Sequence, residues 1–199
     1  MRQLRRLFFG ALAVTFYRRL IVYETRLDRP QVGPDPGFPV ELGVVSEEEL
    51  EDYCRLRPDT SRDEVRRRLE RGDRCFAVRR GGELLSVRWL SANRADLPYL
   101  GLSFALGPDL VFAYDAYTDP GARGARLGTL GGAYMSEQAR REGSRALLST
   151  ALPENEGGRT LLARRGSRPV GTIHCLRLGP VRVPIRRLPE GYLGPVSRR

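Results

Sequence analysis

The stretch LVFAYDAYTDPGARGARLGTLGGAYMSEQARRE, Leu110 to Glu142, changes character twice. Leu110–Thr118 is apolar and aromatic apart from Asp115, the composition of a buried strand. Asp119-Pro120 ends that run, and Gly121–Gly128 is dominated by glycine and arginine. From Leu127 the composition predicts a helix, stopped by Gly143. A strand, a glycine-rich turn and a helix in that order gather backbone amides and the positive end of a helix dipole at one spot, which is an anion site. Arg123 and Arg126 can add charge-assisted hydrogen bonds there. The turn is neither the dinucleotide fingerprint G-x-G-x-x-G nor the P-loop G-x-x-x-x-G-K-[ST].

Working outward, Arg74–Arg80 and Glu83–Ala92 flank Gly81-Gly82, and two glycines that can both take positive φ predict a two-residue β-hairpin. Ser46 with Glu49 and Ser61 with Glu64 have capping-box spacing, so two short helices should precede the hairpin, the second ending at Gly72. Leu20–Leu27 reads as a strand, and the Pro/Gly-rich Arg29–Pro39 as a linker. Asn93–Asp109 reads as a loop. Arg145–Ala151 is expected as a strand, Asn155–Arg165 as a helix stopped by Gly166, and Arg168–Leu178 and Val181–Leu188 as two strands, Pro184 holding the last at an edge. The order αα-ββ-β-α-β-α-ββ is an α/β arrangement with a mixed, mostly antiparallel sheet. It gives an extension over 1–28, a linker over 29–39, a domain over 40–188 and a tail over 189–199.

Lys+Arg number 34 against 24 Asp+Glu, a net charge of +10, and every one of those cations is arginine. An all-arginine usage fits a GC-rich bacterial genome, and the charge draws polyanions. Cys54, Cys75 and Cys175 are odd in number and lack metal or redox spacing. A reducing, cytoplasmic compartment is therefore expected, with no bound metal. His174, the one histidine, lies in a strand-like apolar run and argues against a His-based hydrolytic triad. At the N-terminus, Met1–Arg6 is basic and Leu7–Phe16 (LFFGALAVTF) is apolar. That run is short of the about 20 residues that span a bilayer, and Tyr17-Arg18-Arg19 follows it in place of a cleavage site. A retained helix over Met1–Arg19 is expected, packed on the domain or on a partner subunit as in a homodimer, or lying on an anionic membrane surface.

The turn and its surroundings resemble the GNAT superfamily of acyl-CoA-dependent N-acyltransferases. The superfamily's V-x-P-x-x-R-G-x-G-x-G/A falls on Thr118-Asp119-Pro120-Gly121-Ala122-Arg123-Gly124-Ala125-Arg126-Leu127-Gly128. A second landmark, N-x-x-A-x-x-L-Y-x-K-x-G-F, falls on Asn155, Gly158, Leu161, Leu162, Arg164, Gly166 and Ser167. The likeness covers roughly Val40 to Leu188. It departs at three places: Arg126 replaces the central glycine of the turn, Ser167 an aromatic, and Leu162 the tyrosine that many members use as general acid toward the leaving thiolate.

The resemblance implies acyl transfer, most simply of acetyl from acetyl-CoA, to a primary amine on a small molecule or peptide. It implies that acetyl-CoA is held by Ala116 and Thr118 of the strand, by Arg123, Gly124, Ala125, Arg126, Leu127 and Gly128 of the turn, and by Asn155. Such a reaction needs a neutral amine and a polarised thioester carbonyl. Asp115 is the one acid in the central strand, and strict alternation puts Val111, Ala113, Asp115 and Tyr117 on one face, making Asp115 and Tyr117 the candidate catalytic pair. Asp115 can equally be a structural partner of an arginine such as Arg88. Asn155 has a local role as N-cap beside the implied one. With leucine at 162, a catalytically weak CoA-binding sensor or interaction module is the alternative reading. Nucleic acid is disfavoured as a partner, because aromatic residues do not interleave with a basic run. The acceptor pocket is expected from the early helices and from Asn93–Asp109.

Overall fold

A computed structural model describes residues 17–178 and 181–198. The expected N-terminal helix therefore lies outside the described residues as far as Phe16, and its end is corrected. Tyr17–Arg19 already belong to a strand, because Tyr17 to Leu20 pair in register with Leu176 to Ile173.

In chain order the strands and helices are β1 (Tyr17–Arg26), β2 (Glu41–Val44), α1 (Leu50–Leu56), α2 (Arg62–Glu70), β3 (Arg74–Arg80), β4 (Glu83–Ser91), β5 (Arg94–Leu97), β6 (Leu102–Leu106), β7 (Leu110–Thr118), α3 (Leu127–Arg141), β8 (Ala146–Ala151), α4 (Glu156–Arg164), β9 (Arg168–Leu178), β10 (Val181–Arg187) and β11 (Leu193–Arg198). Single 3₁₀ turns cover Glu47–Glu49 and Pro120–Ala122. This is an α/β fold whose strand pairing is mixed and mostly antiparallel.

The chain forms two compact units. One comprises Thr25–Arg94 and Pro108–Ser149. In it β2 pairs with β3, β3 with β4 and β4 with β7, all antiparallel, while β7 and β8 run parallel. The hairpin forms as expected: Arg80 faces Glu83, and Gly81 and Gly82 take φ of 56° and 82°. Ser61 caps α2 by accepting from the Glu64 amide at 3.2 Å, and the Ser46 amide donates to the Glu49 carboxylate at 2.9 Å. Strand alternation splits the core. Cys75 and Ala77 of β3 join Leu50 and Tyr53 of α1, Val65 of α2 and Trp89 of β4. Phe76 points the other way, into a cluster with Leu90, Val111, Ala113 and the α3 residues Met135 and Ala139. Each face of the sheet is thus sealed by its own helices, which is what fixes β7 in place.

The other unit holds β1 as far as Glu24, Ala95–Gly107 and the chain from Thr150. β1 and β10 flank β9, both antiparallel. The expected loop over Asn93–Asp109 is corrected: it contains β5 and β6, joined by a tight turn over Leu97–Gly101, and β6 pairs with β11 of the C-terminal segment. Strands of four and five residues separated by Pro98 and Gly101 are too short to show a period, and their partner lies far along the chain. At Gly171 a Cβ would collide with the Arg187 carbonyl, so only glycine lets β9 and β10 approach as they do.

Candidate active site at the end of the central strand

β7 does not alternate throughout. Val87 faces Tyr117 and Trp89 faces Tyr114, so three steps on β7 match two on β4. The extra residue is accommodated at Asp115, whose φ is +46°. Such a bulge re-aims side chains, and the expected faces change accordingly. Val111 and Ala113 pack toward α3, whereas Tyr114 and Tyr117 lie against the Tyr53 and Trp89 cluster. Asp115 and Tyr117 do come together, through an arginine. Arg57 donates from Nη1 to Asp115 Oδ1 at 2.7 Å, and its guanidinium lies 4.8 Å over the Tyr117 ring. Arg68 donates from Nη1 to Asp115 Oδ2 at 2.5 Å and sits over the Trp89 and Tyr114 rings at 5.2 and 5.4 Å.

The partners of Asp115 are thus Arg57 and Arg68, not Arg88. Both guanidiniums are held from behind, Arg57 by a two-pronged pair with Asp59 at 2.9 and 3.0 Å, and Arg68 by Glu64 at 3.2 Å. Below them Trp89 Nε1 donates to the Tyr53 hydroxyl at 2.8 Å, and the Tyr114 hydroxyl donates to Asp73 at 2.7 Å. Burial first, then the hydrogen bond to Asp73, pushes the Tyr114 phenol up. Burial likewise pushes the Cys75 thiol well up, which leaves it an inert core residue. Ala116 is the exposed residue of the bulge, and the Thr118 hydroxyl is 2.9 Å from that of Ser86.

Past Thr118 the Asp119 carboxylate accepts from the Gly121 amide at 2.7 Å and seeds the 3₁₀ turn. Gly124 takes φ +92° with open space where a Cβ would stand. Arg126 takes the left-handed conformation, φ 59° and ψ 16°, immediately before α3. Gly128 has a different task, since a Cβ there would stand 3.0 Å from Thr118 Oγ1. Among the described residues no hydrogen-bond partner takes the amides of Gly124, Ala125, Arg126 or Leu127. Nor does any carboxylate pair with the exposed side chains of Arg123 and Arg126. Leading amides of a helix have no partner within it. Here they stand with two uncompensated cations, an arrangement suited to an anion.

Asn155, the remaining residue assigned to the acyl donor, belongs to the other unit. It caps α4, its Oδ1 accepting from the Gly158 amide at 2.8 Å, and Leu162 is half-buried in the same helix. Sequence reasoning missed the Arg57 and Arg68 clamp, although a lone aspartate in an apolar strand is the signal that a cation faces it. It also missed an open cavity of about 330 Å³ lined by Asp52, Arg55 and Leu56 of α1, Gly82–Leu84 at the hairpin and Asp119. Among the described residues no group of three or more His, Cys, Asp or Glu side chains is disposed to hold a metal, and no helix is long and apolar enough to cross a membrane.

The fold is similar to that of solved GNAT N-acetyltransferases. A Drosophila protein of unknown function superposes with a TM-score of 0.58 at 19% identity, over 88% of this chain and 57% of its own. A GNAT-family protein from Novosphingobium aromaticivorans superposes at 0.53 and 17% identity, over 79% of this chain and 62% of its own. The aminoglycoside N-acetyltransferase AAC(6')-Iy, solved with CoA, superposes at 0.53 and 17% identity, over 64% of this chain and 87% of its own. The chain spans less than two thirds of the length of the first two. At these identities the likeness is one of fold. No family model and no curated protein matches the sequence.

Proposed function

We propose that the protein transfers an acetyl group from acetyl-CoA to a primary amine. The observation that carries this reading is the turn from Arg123 to Gly128 at the mouth of α3, where among the described residues the amides from Gly124 to Leu127 and the side chains of Arg123 and Arg126 have no partner. Bound there by its pyrophosphate, acetyl-CoA would supply a thioester carbonyl, which the neutral amine attacks as the C–S bond breaks; the nitrogen loses one proton and the leaving thiolate takes one up. Ala116 and Thr118 flank the path from the turn to the bulge along β7. The Asp115 carboxylate accepts from a guanidinium at each oxygen, so it holds the bulge in shape and fixes Arg57 above Tyr117. Tyr117 then offers a hydroxyl proton donor on the strand itself, in the role for which Leu162 has no donor. Asp52, Glu83 and Asp119 around the cavity, offset only by Arg55, favour a cationic amine as acceptor.

Titration calorimetry with acetyl-CoA tests the placement. Arg126→Ala and Arg123→Ala should each weaken binding and flatten its dependence on salt, and unchanged affinity in both variants refutes it. Turnover with a panel of amines separates the enzyme from a CoA sensor on the same fold, the reading that Leu162 favours. In an active preparation Tyr117→Phe should lower kcat by about 10²-fold or more while leaving acetyl-CoA affinity in place.

A further inference from the structure

The β10–β9–β1 ladder presents one face to its own unit and one outward. Inward-pointing Ile173, Cys175, Leu20 and Val22 are buried. Arg182 and Arg186 on the same side are tied down, Arg182 to the Gly101 carbonyl at 3.2 Å and Arg186 to the Leu193 and Gly194 carbonyls at 2.9 and 2.6 Å. The register fixes what points the other way: Val183 stands opposite Leu176, which stands opposite Tyr17, and Ile185 stands opposite His174. Val181, Val183, Ile185, Leu176 and Tyr17 are 37–51% exposed, an apolar row across the three strands.

The row ends in cations. Arg19 lies opposite His174 and Arg187 opposite Thr172, on the same outward face. Burial first, then the nearby positive charges of Arg187 and Arg19, hold His174 below its usual value. No acidic residue occupies the outward positions of the three strands between Tyr17 and Ile21, Thr172 and Leu178, or Val181 and Arg187. The sequence entering β1 repeats this composition, with Arg2, Arg5 and Arg6 followed by apolar Leu7–Phe16 and then Tyr17.

We propose that this outward face docks on an anionic lipid surface, with Val181, Val183, Ile185, Leu176 and Tyr17 entering the headgroup and acyl boundary and Arg19 and Arg187 meeting lipid phosphates. Apolar side chains fringed by arginine with no carboxylate match that surface in both polarity and charge. A second copy of the chain matches it poorly, because the same face of that copy carries no carboxylate to pair with Arg19 and Arg187.

Co-sedimentation of the full chain with vesicles of phosphatidylcholine alone, or with phosphatidylglycerol added, tests the proposal. Binding should require the anionic lipid and weaken with added salt. Val183→Asp with Ile185→Asp should lower partitioning roughly tenfold or more, and Arg187→Glu should lower it too. The milder Val183→Ser with Ile185→Ser should act in the same direction, and thermal melts would show that each variant is folded. Three results overturn the proposal: no binding to anionic vesicles, equal binding of wild type and all folded variants, or a stable dimer by light scattering that Val183→Asp with Ile185→Asp splits.

Discussion

Replacing Asp115 by asparagine isolates the charge that joins α1 and α2 to the β7 bulge. Asparagine tolerates the left-handed conformation at this position about as well as aspartate does, so the backbone is not the variable. Asp115 makes two charge-assisted bonds, at 2.7 and 2.5 Å, to guanidiniums whose side chains are 11% and 14% exposed. Bonds of this kind are worth about 1.5–3 kcal/mol each. Asparagine keeps one acceptor and turns an amide donor toward the other guanidinium. The upper bound is the about 3–5 kcal/mol lost when a fully buried pair is broken. The site falls short of that, since Arg57 retains Asp59 and Arg68 retains Glu64. The expected loss is about 2 kcal/mol, which for a chain of this size lowers Tm by about 4–8 °C. Thermal and urea melts followed by circular dichroism at pH 7 measure it. A variant with wild-type Tm whose turnover falls about 10²–10⁴-fold would refute the reasoning, because Asp115 would then be a general base and not a clamp.

Two further perturbations probe the same unit. Tyr53→Phe strips the acceptor from the fully buried Trp89 Nε1–H and should cost about 1–3 kcal/mol, read from the urea midpoint at constant m; no change would mean that another acceptor takes the indole. The two-pronged bond from Arg79, at 2.6 and 2.7 Å, holds the Glu49 carboxyl below its ordinary value of 4.5 against the opposing effect of burial. A depressed folded value stabilises above about 4.5 and is lost as pH falls through it. Glu49→Gln should therefore be less stable than wild type at neutral pH and lose less on going to pH 3, and parallel stability curves for the two proteins would reject that assignment.

Local chemistry was the legible part. Serine caps, the Gly81-Gly82 turn and the strand, turn and helix from Leu110 to Glu142 each rest on contacts a few residues apart, and each stands in the structure where the sequence puts it. The β5, β6 and β11 group escaped because its strands are short and its closing partner, Leu193–Arg198, sits in what reads as a tail. The phase of β7 escaped for a sharper reason. Nothing in AYDAY announces that Asp115 takes φ +46°, and one extra residue moves Tyr117 to the opposite face from Val111 and Ala113. The need of Asp115 for a cation is readable, but in a chain whose every cation is arginine the choice of Arg57 and Arg68 comes only from how α1 and α2 close over the sheet.

Arg126 carries an implication for how this chain tolerates change. A left-handed arginine costs about 1–2 kcal/mol that glycine there would not, and the side chain makes no ion pair among the described residues to offset it. Judged on folding alone, residue 126 is a defect that a single substitution to glycine would repair. Judged on the anion turn, it is a fixed cation at the mouth of α3. Libraries screened for thermostability should enrich glycine at this position, and libraries screened for retention of CoA should enrich arginine.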